Sequence, residues 1–345
     1  MTWEWSPDEL SRLGKFLAER AGCGPRVNAR AVGDGHSNLT YVVSDGDRTV
    51  VVRRPPPPPV PVGAHDVVRE VRLLTALAAT PVPVPRVLAV AEPGQIVDVP
   101  LVVTEFIDAV VITESTPEPL NYPAARCQIA ESVIDALADL HAVDWAGIGL
   151  GDFGKPQGFN SRHLRRVRAL IERDGRLPDG FARLADWLVH HTPAESGAAI
   201  VHNDFRLGNM MIRPTPPGRV AAVLDWELAT IGDPLFDLGY FLSSYPAPGE
   251  ALTPTAGMGV AVLEEGYPSR VELLARYSER TGTVPRNIEW YSAMAQFKLA
   301  ALYEYGRRRA ETPSGDPYFA DPALVAAFLR AGETCAGLSA HPQRT

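Results

Sequence analysis

The segment His202-Asn203-Asp204-Phe205-Arg206-Leu207-Gly208-Asn209 sets a carboxylate and an amide five residues apart. A second carboxylate follows in Val223-Leu224-Asp225-Trp226-Glu227, at the end of an apolar run. Phosphoryl transfer calls for this set of groups. One aspartate accepts the hydrogen bond of a reacting hydroxyl, while an asparagine and a further aspartate offer oxygens to Mg²⁺. Mg²⁺ is a hard ion that keeps several waters and bridges substrate phosphates, so a few carboxylate or amide oxygens suit it better than a closed protein cage. On this reading Asp204 orients an acceptor hydroxyl for in-line attack, and Asn209 and Asp225 are metal ligands. An H-x-D triplet alone arises by chance, and Asp or Asn in loops commonly cap turns. The five-residue spacing and the second, strand-terminal Asp carry the functional reading.

Several elements must position these groups. Val220-Ala221-Ala222-Val223-Leu224 reads as a short buried strand, with Arg213-Pro214-Thr215-Pro216-Pro217-Gly218 as the turn before it. Far upstream, Thr40-Tyr41-Val42-Val43 and Thr49-Val50-Val51-Val52-Arg53 flank Ser44-Asp45-Gly46-Asp47, a hairpin signal. Gly33-Asp34-Gly35-His36-Ser37-Asn38 precedes them and reads either as a plain turn or as a loop whose backbone N–H groups meet phosphate oxygens. Pro55 to Pro59 predict a polyproline II connector. A helix is expected from about Asp66 to Ala79, with Val67, Glu70, Val71 and Leu74 on one face. Glu70 is then an acid in an apolar stripe and needs a partner, for which Arg53-Arg54 are the candidates.

Val82 to Val90 leads into a further strand pair that ends with Leu101 to Ile107. Helical periodicity dominates afterwards, first in the stripe Ile129, Val133, Leu137 and Leu140. More helices are expected around 162–172, 179–190, 270–281, 288–310 and 322–331. At the other end of the chain, Ser6 or Asp8 can cap a first helix carrying Leu10, Leu13 and Leu17. The pattern is α+β, with a helix and β-rich region over 1–104 and a mainly helical region over 105–345.

The 345 residues, 46% apolar and 21% charged, have an ordinary globular composition with ample core. A net charge of −8 argues against a nucleic-acid surface. No stretch is apolar enough to span a bilayer, and the first residues lack the layout of a signal peptide. Cys23, Cys127 and Cys335 lie too far apart for a metal-type spacing. They suit inert thiols in a reducing cytoplasm.

In its ordered motifs, from about Val32 to Tyr305, the chain resembles the aminoglycoside phosphotransferase and choline kinase group. More narrowly, it resembles the branch whose kinase domain is sometimes fused to acyl-CoA dehydrogenase domains. It is carried by Gly35-His36-Ser37-Asn38-Leu39-Thr40-Tyr41, Val52-Arg53-Arg54-Pro55-Pro56, Ala64-His65-Asp66-Val67-Val68-Arg69-Glu70, and Asp225-Trp226-Glu227 with Gly232-Asp233-Pro234. The resemblance implies a two-lobed protein-kinase-like fold, with a β-rich N-lobe, a mainly helical C-lobe and an ATP site between them. It implies that the loop with Gly33, Gly35, Ser37 and Asn38 covers the phosphates and that Arg53 stands where a strand lysine is usual. Glu70 would pair with Arg53, and the backbone of Glu105 and Ile107 would meet adenine. Asp204 would be the base, with Asn209 and Asp225 holding Mg²⁺. Asp237 would hold the catalytic loop or cap a helix, and Glu227 would add a metal contact or lie on the surface.

Two residues depart from the family pattern. Arg53 is planar and forked where lysine is a compact charge, and Asn203 stands where glycine is common. They raise the alternative of a weak, regulatory nucleotide-binding protein. A metal-dependent hydrolase is a further alternative. The expected partner is a small-molecule hydroxyl acceptor, with no nucleic acid and no membrane. Aminoglycosides are polycations and require converging acids, as an aminoglycoside-type antibiotic kinase would have. The basic segments Arg162 to Arg168 and Arg307-Arg308-Arg309 instead favour an anionic acceptor, such as a hydroxyacyl-CoA, hydroxy acid or phosphorylated sugar, if they face the site, and are otherwise solvated helix faces.

Overall fold

The computed structural model describes residues 4–32, 38–55, 67–312 and 315–338. The chain divides into two compact units, Met1–Ala109 with Ile148–Leu150 and Ala221–Glu227, and Val110–Gly147 with Gly151–Val220 and Leu228–Thr345.

The first unit begins with α1 (Pro7–Arg20), entered through a reciprocal capping box between Ser6 and Glu9. The strands are β1 (Asn28–Val32), β2 (Leu39–Ser44), β3 (Thr49–Arg54), β4 (Val87–Ala91) and β5 (Leu101–Glu105), with α2 (Val67–Leu77) between β3 and β4. They form one antiparallel sheet in the order β1-β2-β3-β5-β4. Successive side chains of a strand face opposite sides. In β3, Val50 and Val52 therefore enter the core with Leu13, Leu17, Tyr41 and Val103, while Arg53 faces the other way. On α2 the three- and four-residue spacing buries Val67, Glu70, Leu73, Leu74 and Leu77, which makes Glu70 the one acid of that buried face.

The second unit is mainly helical. It holds α3 (Pro123–His141), α4 (Phe159–Ile171), α5 (Ala182–His190), α6 (Leu235–Ser244), α7 (Pro254–Gly257), α8 (Arg270–Thr281), α9 (Ile288–Ala310) and α10 (Pro322–Cys335). Short strands β6 (Ala199–Val201) and β9 (Thr230–Gly232) pair antiparallel, with β7 (Met210–Ile212) and β8 (Val220–Val223) between them in sequence. The expected turn before β8 is present, closed by the Arg213 N–H donating to the Arg219 carbonyl at 2.9 Å. Of the five helices expected from residue 162 onward, those at 270–281 and 288–310 occur with the expected bounds and three have shifted ends, the largest change being α10, which runs to Cys335. The helix expected from Asp66 to Ala79 is described from Val67 to Leu77, Asp66 lying outside the described residues. No helix among the described residues is long and apolar enough to cross a membrane.

Every residue of α6 is buried, and the first two-thirds of α9 is nearly so. Their approach depends on Gly239, where an added Cβ would lie 2.5 Å from Tyr291 Cβ and 2.8 Å from its carbonyl carbon. Alanine at a helix interior is favoured over glycine by about 1 kcal/mol, but forcing a methyl against backbone costs about 1–3 kcal/mol. Packing therefore wins. Gly239→Ala is expected to lower stability in urea unfolding, whereas an unchanged or raised midpoint would show that α6 and α9 can separate freely.

Candidate active site

The loop after β6 takes its shape from one residue. Asn203 has φ of +66°, a left-handed conformation that asparagine tolerates better than most side chains. Its own amide keeps it there, Nδ2 donating to the Leu228 carbonyl at 2.8 Å. Asp237 fixes the loop from beneath, its carboxylate accepting the backbone N–H of His202 at 2.5 Å and of Asn203 at 2.8 Å. It is fully buried inside α6, so the helix-cap reading gives way to that of a loop anchor. Tyr277 Oη lies 2.8 Å from His141 Nδ1, and His141 Nε2 faces the Asp237 carboxylate at 3.6 Å.

Lys298 supplies the third hold. Its ammonium donates to the Asn203 carbonyl and lies 5.5 Å from the Phe236 ring centre and 5.0 Å from that of Tyr240. Burial pushes its pKa down, while the carboxylates of Asp204 and Asp237 oppose that shift.

Held in this way, Asp204 presents a carboxylate with fixed orientation. Tyr240 Oη donates to Oδ1 at 2.5 Å, and Asn209 Nδ2 donates both to Oδ2 and to the Asp204 carbonyl, each at 2.8 Å. Arg206 Nε lies 3.6 Å from Oδ2. Burial first, and then Asp204, raise the Tyr240 pKa well above its ordinary value, so the phenol remains a donor. Asn209 sits in the 3₁₀ turn Leu207–Asn209. Because its amide nitrogen is committed to Asp204, its amide oxygen is the atom it can offer to a cation.

The first unit groups another set of the expected residues. Arg53 forms an ion pair with Glu70 and reaches Asp225 Oδ1 at 3.4 Å. Glu70 is 6% exposed, and burial pushes its carboxyl up to about 7 against the pull of Arg53, with Asp225 and Glu227 adding to the rise. Asp225 has φ of +68°, and its side chain is 37% exposed. Asp225 in the first unit and Asn209 in the second each offer an oxygen of the kind Mg²⁺ takes. The described residues hold no group of three or more His, Cys, Asp or Glu fit for a metal.

Glu227 accepts from Asn38 Nδ2 at 3.1 Å. The Glu105 N–H donates to the Arg86 carbonyl at 3.0 Å, while Ile107 has no backbone partner among the described residues. Gly33, Gly35 and Ser37 lie outside the described residues.

Sequence reasoning missed Tyr240 and Lys298. Lys298 had a signal, a lone cation in Trp290 to Ala301, a stretch otherwise nearly devoid of charge. Tyr240 had only its place one helical turn after Asp237. Of the two readings of the basic segments, an anion site or solvated helix faces, the partners of the Arg307 to Arg309 run fit the second. Arg307 and Arg308 bind Glu304, Arg307 also binds Glu311, and Arg309 lies over the Tyr305 ring at 5.9 Å. Arg162 donates to the Lys155 carbonyl.

A model of the phosphotransferase enzyme family matches residues 28–291. Acyl-CoA dehydrogenase family member 10 of Mus musculus is 31% identical over 310 residues, covering 88% of this chain and 28% of that protein. Acyl-CoA dehydrogenase family member 11 of Homo sapiens is 29% identical over 329 residues, covering 93% and 41%. The chain thus spans less than half the length of either relative. A Ralstonia eutropha protein provisionally assigned as an aminoglycoside phosphotransferase has a TM-score of 0.79 at 29% identity, covering 96% of this chain and 98% of that one. Aminoglycoside phosphotransferase APH(4)-Ia, solved with AMP-PNP and hygromycin B, has a TM-score of 0.59 at 16% identity, covering 96% and 99%, a likeness of fold alone. These likenesses bear out the protein-kinase-like architecture, with its β-rich N-lobe and helical C-lobe.

Glu70 also gives stability a pH dependence. The folded protein holds its proton up to about pH 7, against an ordinary value of 4.5. Its contribution is therefore full below the unfolded value and lost as pH rises through the folded one. Melting scans from about pH 5 to about pH 8 are expected to show wild type losing stability relative to Glu70→Gln as pH rises; parallel curves would contradict this.

Proposed function

The chain belongs to the phosphotransferase enzyme family, and on that premise we propose that it is a small-molecule kinase that moves the γ-phosphate of ATP to an acceptor hydroxyl. The observation that carries this reading is the Asp204 carboxylate bracketed by Tyr240 and Asn209. Two donors fix its direction, which suits a group that orients an acceptor hydroxyl. Phosphoryl transfer of this kind depends mainly on positioning and charge stabilisation. Asp204 accepts the hydrogen bond of the hydroxyl and takes its proton as the new oxygen–phosphorus bond forms and the bond to ADP breaks. Arg53, oriented by Glu70, faces phosphate oxygens with a fork that can bind two at once. Asn209 and Asp225 would hold Mg²⁺, which would supply charge neutralisation to the phosphates. The loop of Gly33, Gly35, Ser37 and Asn38 and the backbone of Glu105 and Ile107 contact the nucleotide.

We place the acceptor among hydroxylated acyl compounds, such as a hydroxyacyl-CoA or hydroxy acid. The names of the two relatives, members of the acyl-CoA dehydrogenase family, support this class. So does the pairing of five of the second unit's acids. Asp135 and Glu131 face Arg276, Asp139 faces Arg280, Glu264 faces Arg126, and Glu304 is held by Arg307 and Arg308. Carboxylates already neutralised by arginine are poor recognition groups for a polycation.

Mass spectrometry of reactions with MgATP and a panel of hydroxyacyl-CoAs, hydroxy acids, aminoglycosides, choline and sugars tests both levels. Asp204→Asn is expected to reduce transfer by on the order of 10²–10⁴-fold while MgATP binding persists. Transfer at the wild-type rate in that variant would overturn the role of Asp204, and phosphorylation of aminoglycosides alone would overturn the acyl class.

A further inference from the structure

The basic run on α4 has a different setting from the one on α9. Arg307 and Arg308 meet Glu304 on their own helix. α4 holds no acid, so Arg162 and Arg166 have no carboxylate on a neighbouring turn. They lie four residues apart and share one helix face, a spacing at which like charges destabilise a helix. Both line a cavity of about 290 Å³ in the second unit, together with Lys155, His163, Thr230 and Ile231. This volume is at the small end of ligand pockets.

The cavity is built by a loop that closes onto β9. A Cβ on Gly154 would lie 2.4 Å from Thr230 Oγ1 and 2.5 Å from the Ile231 backbone nitrogen, so any side chain there would push the loop away. Arg162 donates to the Lys155 carbonyl and ties the same loop to α4. His163 is backed by aromatic rings, stacked on Phe159 at 5.4 Å and edge-on to Phe236 at 4.6 Å. Burial first, and then Lys298 and Arg166, push its pKa down to about 3, so the ring is neutral at pH 7. The charge of the wall therefore comes from Lys155, Arg162 and Arg166, with Asp152 the single acid, an excess of two positive charges.

That excess selects among anions. A carboxylate brings one negative charge, whereas a phosphate monoester brings about 1.5 to 2 at pH 7 and three acceptor oxygens. Guanidinium forks bind such oxygens in pairs. We propose that this cavity binds the phosphate of a phosphate monoester, with Lys155, Arg162 and Arg166 as its cationic donors. The ligand chemistry rests on the cavity wall and not on phosphotransfer. Two sources share it, a phosphate carried by the acceptor and one on a molecule that binds without reacting.

Two probes that differ only in the phosphate test the proposal, phosphopantetheine and pantetheine. Calorimetric titration of the full chain is expected to show saturable binding of phosphopantetheine, one molecule per chain, with pantetheine weaker by roughly tenfold. Arg166→Gln is expected to weaken phosphopantetheine by roughly fivefold and to leave pantetheine unchanged. Arg165, exposed on the same helix but outside the cavity wall, is the control for general charge, and Arg165→Gln is expected to keep wild-type affinities. Arg53→Met is expected to keep them too, which separates this cavity from a nucleotide phosphate site. Equal affinities of the two probes, absence of saturation, or equal losses in Arg165→Gln and Arg166→Gln would each overturn the proposal, and the wild-type comparison needs no variant to fold. Transfer from MgATP to hydroxybutyryl thioesters of CoA and of pantetheine then distinguishes the sources. A KM raised by Arg166→Gln for the CoA thioester alone identifies the cavity as the acceptor's, and an unchanged KM identifies a non-reacting ligand. Both outcomes uphold the site, while an absence of transfer counts only against the kinase reading.

Discussion

Two backbone N–H groups that end on one buried carboxylate are the constraint on which the candidate chemistry rests. Asp237 accepts from His202 and Asn203 at the point where the chain leaves β6 and must reverse its hand. Without an acceptor there, two buried donors would be left unmet, each at about 1–3 kcal/mol. The loop would then have a reason to relax away from its left-handed residue. Asp204 follows directly, so a shift of the anchor becomes a shift of the carboxylate.

Burying Asp237 carries its own cost, and the surrounding charges show how it is offset. An isolated buried carboxylate is unfavourable by several kcal/mol even after relaxation. Here it receives two backbone donors, faces His141, and shares the field of the Lys298 ammonium. Lys298 is itself buried and is tolerated because it meets the Asn203 carbonyl, two aromatic faces and the field of two carboxylates. Anchor and counter-charge thus arrive from α6 and α9, the helix pair that Gly239 allows to pack closely. The polar cluster needs that packing, because the same charges in a looser, wetter interface would hold the loop less firmly.

Legibility in the sequence followed the range of the interactions. Period-two and period-3.6 patterns are local, and β2, β3, β5, α3, α8 and α9 could be read from them with small errors at the ends. The five-residue spacing of Asp204 and Asn209 was legible because it is local too, and the two side chains meet in the structure. Glu70 was visible as an acid in an apolar stripe, and its need for a partner pointed correctly to Arg53. Tyr240 and Lys298 were hidden because their roles depend on how α6 and α9 meet the loop, which no periodicity encodes. Arg307 to Arg309 left two readings open for the converse reason. The run looks like an anion site until Glu304 and Glu311, on neighbouring turns of the same helix, are seen to bind Arg307 and Arg308. Charge runs report composition, while free charge depends on spacing within the helix.

Asn203 and Arg53, the two departures from the family pattern, have physical accounts that leave the site intact. A non-glycine residue in the left-handed region costs about 1–3 kcal/mol. Against this, the Asn203 side chain makes a hydrogen bond to Leu228, a type of contact worth about 0.5–1.5 kcal/mol. The hydrogen bond offsets part of that cost and ties the loop to Leu228. Arg53 keeps the Glu70 pairing expected of a strand lysine and adds a second nitrogen that reaches Asp225. A compact ammonium offers one charged centre, whereas the guanidinium holds two carboxylates at once. It thereby orders the strand-terminal Asp before any phosphate or metal ion is bound.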